Sequence, residues 1–314
     1  MTKKLMIIVT VLLLTMKNSW GDGWYQSDII TIKTGGKYGT YFQLGSDMKR
    51  LAGLHGISLN VSASDGSLEN LNAVVNNDEV HLAIIQSDVI EWLAERMVKS
   101  RKSGGLLRKL KVKTRFIFPL HEEEIHILSR SDIHSLKELQ GKKVAVGQLR
   151  SGTFLTAGRL FKSANIKITP VRADGKEALI QLEHGEVDAI MAIGGLPIKL
   201  FEDKVNKLLT RKGANSFHLL SINHNSALPQ YHKTTIPANT YKWQKSAVST
   251  VSVLATLVTF DFDRENANCQ RIKQFSDLIN NNIDWLRNNG HEKWQNVDLE
   301  TPLPPMFLRS DCLQ

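Results

Sequence analysis

The sequence carries one motif twice, first as Gly39-Thr40-Tyr41-Phe42-Gln43-Leu44-Gly45-Ser46-Asp47-Met48-Lys49 and again as Gly152-Thr153-Phe154-Leu155-Thr156-Ala157-Gly158-Arg159-Leu160-Phe161-Lys162. Gly, Thr, an aromatic residue, a second Gly and a Lys recur in register at a spacing of 113 residues. A second pair of segments, residues 79–86 and 186–193, aligns in the same order at a spacing of 107 residues. Self-similarity at a nearly fixed period indicates repeated structural units. The pattern predicts two similar lobes whose matching loops face each other across a cleft.

The first 21 residues have the composition of an export signal. Lys3 and Lys4 precede an apolar run over residues 5–14, and Ser19 and Gly21 are small residues suited to a cleavage site. A helix needs about 20 apolar residues to span a bilayer, and this run is only about half as long. We therefore expect a cleaved signal peptide over residues 1–21 and a periplasmic mature chain, with a retained anchor as the alternative.

Length, charge and cysteine content narrow the class of protein further. A chain of 314 residues exceeds the size at which single cores stop growing, so two lobes are expected. The net charge is +9, or +6 once the three lysines of the signal are removed. A basic surface favours anionic partners without identifying them, and nucleic acid is not expected for an exported chain. In an oxidising compartment Cys269 and Cys312, the only two cysteines, are either bridged or two free thiols, and the sequence leaves both open.

Strands and helices alternate along both predicted lobes. A strand over residues 29–33, a loop of turn-forming residues and a helix carrying residues 44–54 are followed by further strand and helix patterns, with Asp88 placed to cap the helix after the strand 80–85. The second lobe repeats this order with a strand at 143–146, a loop at 147–152 and a helix at 153–163. The alternation predicts mainly parallel sheets covered on both faces, with ligands beyond the carboxyl ends of the strands.

The predicted fold class is α/β, with two lobes and a hinged ligand cleft. The first lobe is expected to comprise residues 22–118 and 224–314, and the second lobe residues 119–223. The apolar segments 116–120 and 125–128 are expected to form the crossing between the lobes. A strand at 247–260 and a helix at 272–286 are expected on the return to the first lobe.

Both glycine loops end where a helix begins, which favours anion binding. The first amides of a helix have no partner within the helix, and the aligned peptide dipoles make this end weakly positive. Carboxylates and phosphates bind there without a basic side chain. Thr40, Ser151 and Thr153 add hydroxyl donors, and Tyr41 adds a ring and a phenol. The cleft is therefore expected to offer neutral donors only, although either loop alone is also explained as an ordinary helix start.

Several kinds of catalytic or cofactor site find no support in the sequence. Gly35-Gly36-Lys37 lacks the spacing of a P-loop, and no Gly-x-Gly-x-x-Gly or Gly-x-Ser-x-Gly motif is present. His121 and His126 flank three glutamates, but an odd separation along a strand points the two rings to opposite faces. We interpret that segment as the solvated, charged start of a strand, expect neither metal nor cofactor, and expect a binding protein instead of an enzyme.

The segment from Lys99 to Arg115 holds eight basic residues and no acid. Gly104 and Gly105 and the lack of aromatic residues favour a flexible, solvated loop. Docking to membrane machinery is the alternative.

Taken in order, five motifs resemble the TAXI family of solute receptors, which serve TRAP (tripartite ATP-independent periplasmic) transporters. They are Thr34-Gly35-Gly36-Lys37-Tyr38-Gly39-Thr40-Tyr41, Gly66-Ser67-Leu68-Glu69-Asn70, Gln86-Ser87-Asp88, Ser151-Gly152-Thr153 and Ile236-Pro237-Ala238-Asn239-Thr240-Tyr241. The resemblance implies a periplasmic-binding-protein fold of type II that closes on its ligand and delivers it to a membrane-integral permease driven by an ion gradient. It also implies a small carboxylate ligand such as a glutamate-like amino acid or an oxo acid.

The resemblance also implies a set of ligand contacts. They are Gly39, Thr40, Tyr41, Ser67, Asn70, Gln86, Ser87, Ser151, Gly152, Thr153, Gly194 and Gly195. In these roles Asn70 and Gln86 would orient the ligand through their amides, and Tyr41 would pack against it. Tyr38 stands where the family usually has a further glycine, so the ligand cannot be copied from the family. A periplasmic protein that reports to a sensor kinase or chemoreceptor would have the same fold and is the alternative function.

Overall fold

The computed structural model describes residues 29–99, 104–223, 231–302 and 307–314. The predicted signal peptide lies outside the described residues. The strands are β1 (Ile30–Lys33), β2 (Leu59–Ser62), β3 (Leu82–Gln86), β4 (Thr114–Arg130), β5 (Lys143–Ala145), β6 (Thr169–Val171), β7 (Ala189–Gly194), β8 (Phe217–Leu219), β9 (His232–Ile236) and β10 (Val248–Phe260). The α-helices are α1 (Thr40–Leu54), α2 (Ser67–Asn76), α3 (Asp88–Lys99), α4 (Gly104–Val112), α5 (Gly152–Ser163), α6 (Gly175–His184), α7 (Asn206–Lys212), α8 (Ala267–Asn281) and α9 (Ile283–Asn289). Within these ranges, none of the helices has the length and apolar character that a membrane span requires.

One mixed sheet runs through the described chain in the order β2-β1-β3-β10-β4-β7-β5-β6. At one end β1 pairs in parallel with β2 and β3, and at the other end β5 pairs in parallel with β6 and β7. Each trio therefore places its first strand in the middle, followed along the chain by a helix that begins at one of the two glycine loops. The same strand order on both sides supports the duplication indicated by the repeated motif.

The middle of the sheet is antiparallel, which corrects the expectation of mainly parallel sheets. β4 and β10 pair with each other over most of their length, and β3 and β7 flank them in antiparallel register. The two apolar segments predicted around residues 116–128 are one continuous strand of 17 residues. The two long strands β4 and β10 therefore connect both ends of the sheet.

Buried side chains fall into two groups that define the lobes. Cores built from residues before Leu120 and after Ala255 pack around β1 and β3, whereas cores between Ile125 and Val253 pack around β5 and β7. Leu155 is the one described member that packs across this division. We refer to described residues 29–120 and 255–314 as the first lobe and to residues 125–253 as the second lobe. The expected return near residue 224 lies outside the described residues, and residues 231–253 pack in second-lobe cores.

Local sequence explains how the helices dock. In α1 the apolar face places Tyr41, Leu44, Met48 and Leu51 in the first-lobe core, and each fully buried aliphatic side chain contributes about 1.5 to 3 kcal/mol. The segment expected as one helix over 272–286 is the two helices α8 and α9, which meet at Asn282.

The structure shows whether the two cysteines are bridged and whether the basic segment is a loop. Cys269 and Cys312 form a disulfide, with their Cα atoms 5.1 Å apart. Part of the basic segment is helical, because α4 spans residues 104–112 and buries Leu110 in the first-lobe core. The expectation of a flexible loop is therefore wrong for these nine residues, and residues 100–103 lie outside the described chain.

Candidate functional site

A cavity of about 370 Å³ lies between the lobes. Its walls include the loops that follow β1, β2, β5, β6 and β7 and the last residue of β3, so it lies at the carboxyl ends of parallel strands as predicted. Nine of the twelve predicted contact residues line it, namely Gly39, Thr40, Tyr41, Ser67, Gln86, Ser151, Gly152, Thr153 and Gly194. These nine residues belong to both lobes, so the predicted set lies on both sides of the cavity.

The first glycine loop leads directly into α1. Gly39 is the residue before the helix, its backbone is extended, and it provides no side-chain cap. The first amides of α1 have no intrahelical partner and point toward the cavity end of the helix. Gly35 and Gly36 also line the cavity, and Thr40 is half-buried at its edge. This loop supplies unpaired donors close to the open volume.

In the second glycine loop Ser151 was predicted to donate its hydroxyl to the ligand, but its hydroxyl is bonded within the loop and helix. The Ser151 hydroxyl accepts a hydrogen bond from the Phe154 amide at 3.1 Å and donates to the Gln148 carbonyl at 2.8 Å. Ser151 is therefore the N-terminal cap of α5. Thr153 lines the cavity and is half-buried, so its hydroxyl remains the donor of this loop.

The two lobes touch beside the cavity. The Arg150 carbonyl of the second lobe accepts hydrogen bonds from the amides of Leu68 and Glu69 at the start of α2, at 3.1 and 3.3 Å. Gly66, with φ of +121°, brings its Cα against Ser151, and a β-carbon there would lie 3.3 Å from the Ser151 Cα. The amides of α2 are thus used for contact between lobes.

A hydrogen-bond network forms one wall of the cavity. The Tyr41 hydroxyl donates to Glu123 Oε2 at 2.5 Å, and both residues are buried. The Ser67 hydroxyl accepts a hydrogen bond from the backbone amide of Gln86 at 3.1 Å. It also interacts with the Tyr41 phenol. Tyr41 therefore lines the cavity as predicted, but its hydroxyl is directed to Glu123.

Burial and neighbouring charge shift the pKa values of this wall. Burial is the main reason that the Glu123 pKa is raised to about 8, and nearby Asp88, Glu124 and Glu122 raise it further while Tyr41 opposes the shift. Burial also raises the Tyr41 pKa well above its usual value. Near neutral pH both groups are held in their neutral, protonated forms.

Glu123 belongs to the segment interpreted from sequence as a solvated strand start, and that interpretation is wrong. His121 and His126 are fully buried, and Glu123 and Glu124 are 4% and 8% exposed. The segment lies in the centre of the sheet, where β4 is covered by β10 on one side and by β7 on the other. Burial lowers the pKa of His121 to about 3 and that of His126 to about 4, so both rings are neutral.

The cavity is also lined by ionisable side chains, whereas only neutral donors were expected. Asp65 lies in the first lobe, Glu123 lies in β4 between the two lobes, and His291 follows α9. Asp174 and Lys199 belong to the second lobe. Burial raises the Asp174 pKa, and Glu177 and Asp65 add to the shift. The sequence signal for Glu123 was its position between two apolar strand segments; the other four carried no local signal.

Three predicted contact residues do not line the cavity. Asn70 is fully buried, and its amide donates to the Thr34 carbonyl and, at 2.7 Å, to the Ile84 carbonyl. The Ser87 amide donates to the Leu254 carbonyl at 2.9 Å. Gly195 lies under Lys293, whose Cε would be 2.3 Å from a β-carbon at this position. These residues hold the walls in place.

Asp88, expected to cap α3, connects the two lobes. It is the first residue of α3 and is almost fully buried. Its Oδ2 accepts hydrogen bonds from the Thr156 hydroxyl at 2.7 Å and from the Tyr231 hydroxyl at 2.8 Å. Both donors belong to the second lobe.

The fold is that of the two-lobed periplasmic binding proteins. Residues 32–301 match the NMT1-like family, and the chain belongs to this family. The structure is similar to that of Tv2483 bound to L-arginine, with 12% identity, coverage of 87% of this chain and 92% of that chain, and a TM-score of 0.51. It is also similar to an ABC uptake transporter substrate binding protein from Streptococcus pneumoniae with bound histidine, with 14% identity, coverage of 88% and 95%, and a TM-score of 0.48.

Proposed function

We propose that this chain is an extracytoplasmic receptor that binds one small carboxylate between its lobes and delivers it to a membrane permease. The cavity of about 370 Å³, bounded by a glycine loop from each lobe, is the observation that carries the proposal. Its volume falls at the lower end of the range of about 300 to 1,000 Å³ for small-molecule sites. A compact ligand of a few carbon atoms fits this space.

The donors around the cavity favour a carboxylate. The start of α1 supplies unpaired amides, and Thr40 and Thr153 supply hydroxyls from opposite lobes. Lys199 adds a positive charge from the second lobe. Tyr41 provides an apolar surface between these donors.

The hydrogen-bond partners of the cavity hydroxyls favour ligand binding over catalysis. Among the described residues, neither a His nor a carboxylate hydrogen-bonds to the hydroxyls of Thr40, Ser67, Ser151 or Thr153. A serine or threonine nucleophile needs such a base in contact with its hydroxyl.

We assign the receptor to the TAXI type of TRAP transporter, with a glutamate-like amino acid or an oxo acid as ligand. The five motifs that resemble this family support the assignment, and four of them contribute residues to the cavity wall. The proposed location is the periplasm, after removal of residues 1–21. The structural neighbours named above were solved with arginine and with histidine.

Native mass spectrometry of protein purified without refolding tests the proposal, because it weighs any ligand retained from the cell. A library of organic and amino acids is then screened by thermal shift and small-angle scattering. We expect saturable binding of a carboxylate with compaction on closure. The double variant Thr40→Ala/Thr153→Ala should weaken binding at least tenfold, whereas Thr169→Ala, at an exposed position of β6, should not change it.

Failure of every carboxylate to bind would contradict the proposal. Chemical change of a bound compound would indicate an enzyme. Genes for multi-span permease subunits next to this gene would support transport, and a neighbouring sensor kinase would favour the sensing alternative.

A further inference from the structure

Glu123 points a free carboxyl oxygen at the cavity. The residue is only 4% exposed and lines the cavity wall. Its Oε2 accepts the hydrogen bond from the Tyr41 hydroxyl, and within the described chain its Oε1 has no hydrogen-bond partner. Oε1 is not among the buried side-chain atoms that lack a partner, so the cavity reaches this oxygen and a ligand in the cavity can bond to it.

The charges that face Glu123 oppose its ionisation. Of the described residues, those with the largest effects on the charge of Glu123 are Asp88 at the start of α3, the strand neighbours Glu122 and Glu124, and the Tyr41 phenol from α1. Burial is the main cause that raises the Glu123 pKa and the three acids add to it, whereas the Tyr41 hydrogen bond lowers it. Lys199 and His291 line the same cavity but are not among these groups.

Three basic side chains are paired with other acids. Lys293 Nζ lies 3.9 Å from Glu124 Oε2, and His232 Nδ1 lies 2.8 Å from Glu122 Oε1. Arg159 pairs with Glu91 and Glu95. Among the residues that the structure describes, Glu123 forms no ion pair, and it retains its proton near neutral pH.

The Tyr41 hydrogen bond favours Oε1 as the oxygen that carries that proton. Because Tyr41 donates to Oε2, this atom acts as the carbonyl oxygen of the neutral acid. The proton then belongs to Oε1, which faces the cavity. A hydroxyl at this place is a hydrogen-bond donor, whereas an ionised Glu123 would repel a carboxylate in a site shielded from water.

We propose that Glu123 binds the carboxylate of the ligand as a neutral acid, so that one ligand and one proton occupy the site together. This inference rests on the proposed carboxylate-binding function. It adds a short O–H···O⁻ hydrogen bond to the donors of the two glycine loops. It also makes Glu123 a ligand-binding residue that none of the sequence motifs indicated.

The proposal fixes the direction of the pH dependence. Ligand affinity is constant while free Glu123 is protonated and falls as the pH rises above its pKa, by at most tenfold per pH unit. With a pKa of about 8, the dissociation constant should rise about tenfold between pH 7 and pH 9. Burial lowers the His291 pKa, so this ring does not titrate in that interval.

The test uses 2-oxoglutarate and L-glutamate as probes in isothermal titration calorimetry from pH 6 to pH 10. 2-Oxoglutarate has no group that titrates between pH 7 and pH 9, so any pH dependence of its binding in that interval arises from the protein. We expect the tenfold loss of affinity for wild type and an uptake of about half a proton per ligand at pH 8, measured in buffers of different ionisation enthalpy. The matched variant Glu123→Gln keeps an acceptor for Tyr41 and a donor toward the cavity, so it should bind within about threefold of wild type at pH 7 and show a flat profile.

Three results would overturn the inference. They are equal wild-type affinity at pH 7 and pH 9, affinity that improves as the pH rises, and loss of binding in a folded Glu123→Gln protein. The last two would mean that an ionised Glu123 receives a cationic group. If a probe binds and the pH has no effect, only this inference fails; if no carboxylate of the wider library binds wild type at pH 7, the proposed function fails with it.

Discussion

Gly152 lies directly against the side-chain amide of Gln86, and a β-carbon at Gly152 would stand 1.6 Å from Gln86 Oε1. Gly152 begins α5 in the second lobe, and Gln86 ends β3 in the first lobe. The same added atom would lie 2.9 Å from the Ser67 hydroxyl. The absence of a side chain at Gly152 is therefore what lets the lobes approach each other at the cavity.

We predict that Gly152→Ala opposes lobe closure. The clash falls on the contact between lobes, so we expect a larger radius of gyration in small-angle scattering and a loss of ligand affinity of about tenfold, equivalent to 1.4 kcal/mol. Gly158→Ala in the same helix is the control, because a β-carbon there meets no atom within 4 Å. It should stabilise the protein by about 0.5 to 1 kcal/mol. Equal scattering curves for the two variants would contradict the prediction.

Asn70 is predicted to support the fold and not to bind ligand. Asn70→Ala removes the hydrogen bonds to the Thr34 and Ile84 carbonyls from a fully buried position. The free energy of unfolding should fall by about 2 to 3 kcal/mol. Asn72→Ala, at an exposed position of the same helix, should leave it unchanged. Denaturant unfolding measures both, and a folded Asn70→Ala protein with normal stability but no ligand binding would refute the prediction.

The disulfide is predicted to stabilise the first lobe. Cys269 and Cys312 are 43 residues apart in sequence, and in the chain-entropy account closing a loop of this length is worth about 4 kcal/mol. The double variant Cys269→Ser/Cys312→Ser should lose about 2 to 4 kcal/mol of unfolding free energy. Ligand affinity should stay within about twofold, because neither cysteine lines the cavity. Urea unfolding with and without reductant checks this, and an unchanged midpoint would argue against it.

The glycine loops and the repeated succession of strand, loop and helix could be predicted because their signals are local. Gly39 and Gly152 each stand at the point where a loop becomes a helix, and helical spacing after each loop is visible in the sequence. Strand, loop and helix then place each loop at the carboxyl end of its own group of parallel strands without any tertiary information.

Glu123 could not be assigned because its burial depends on pairing. Three consecutive glutamates between two apolar segments have the pattern of a solvated segment, and only pairing with β10 and β7 places them in the centre of a sheet. Asn70 was expected at the cavity and does not line it, for a related reason. The motif located Asn70 next to the cavity, but its buried position between β1 and β3 is set by packing that sequence spacing does not express.

Arg159 is predicted to hold the lobes together outside the cavity. It extends from α5 of the second lobe, is largely buried, and lies 3.2 Å from Glu91 Oε2 and 3.1 Å from Glu95 Oε1 of α3 in the first lobe. Arg159→Met should leave the half-buried Glu91 without its counter-charge and shift ligand-free protein to a more open form. Arg211→Met, which removes an exposed pair with Glu183 inside the second lobe, is the control. Small-angle scattering of both ligand-free variants decides, and an unchanged radius of gyration for Arg159→Met would show that closure does not depend on this pair.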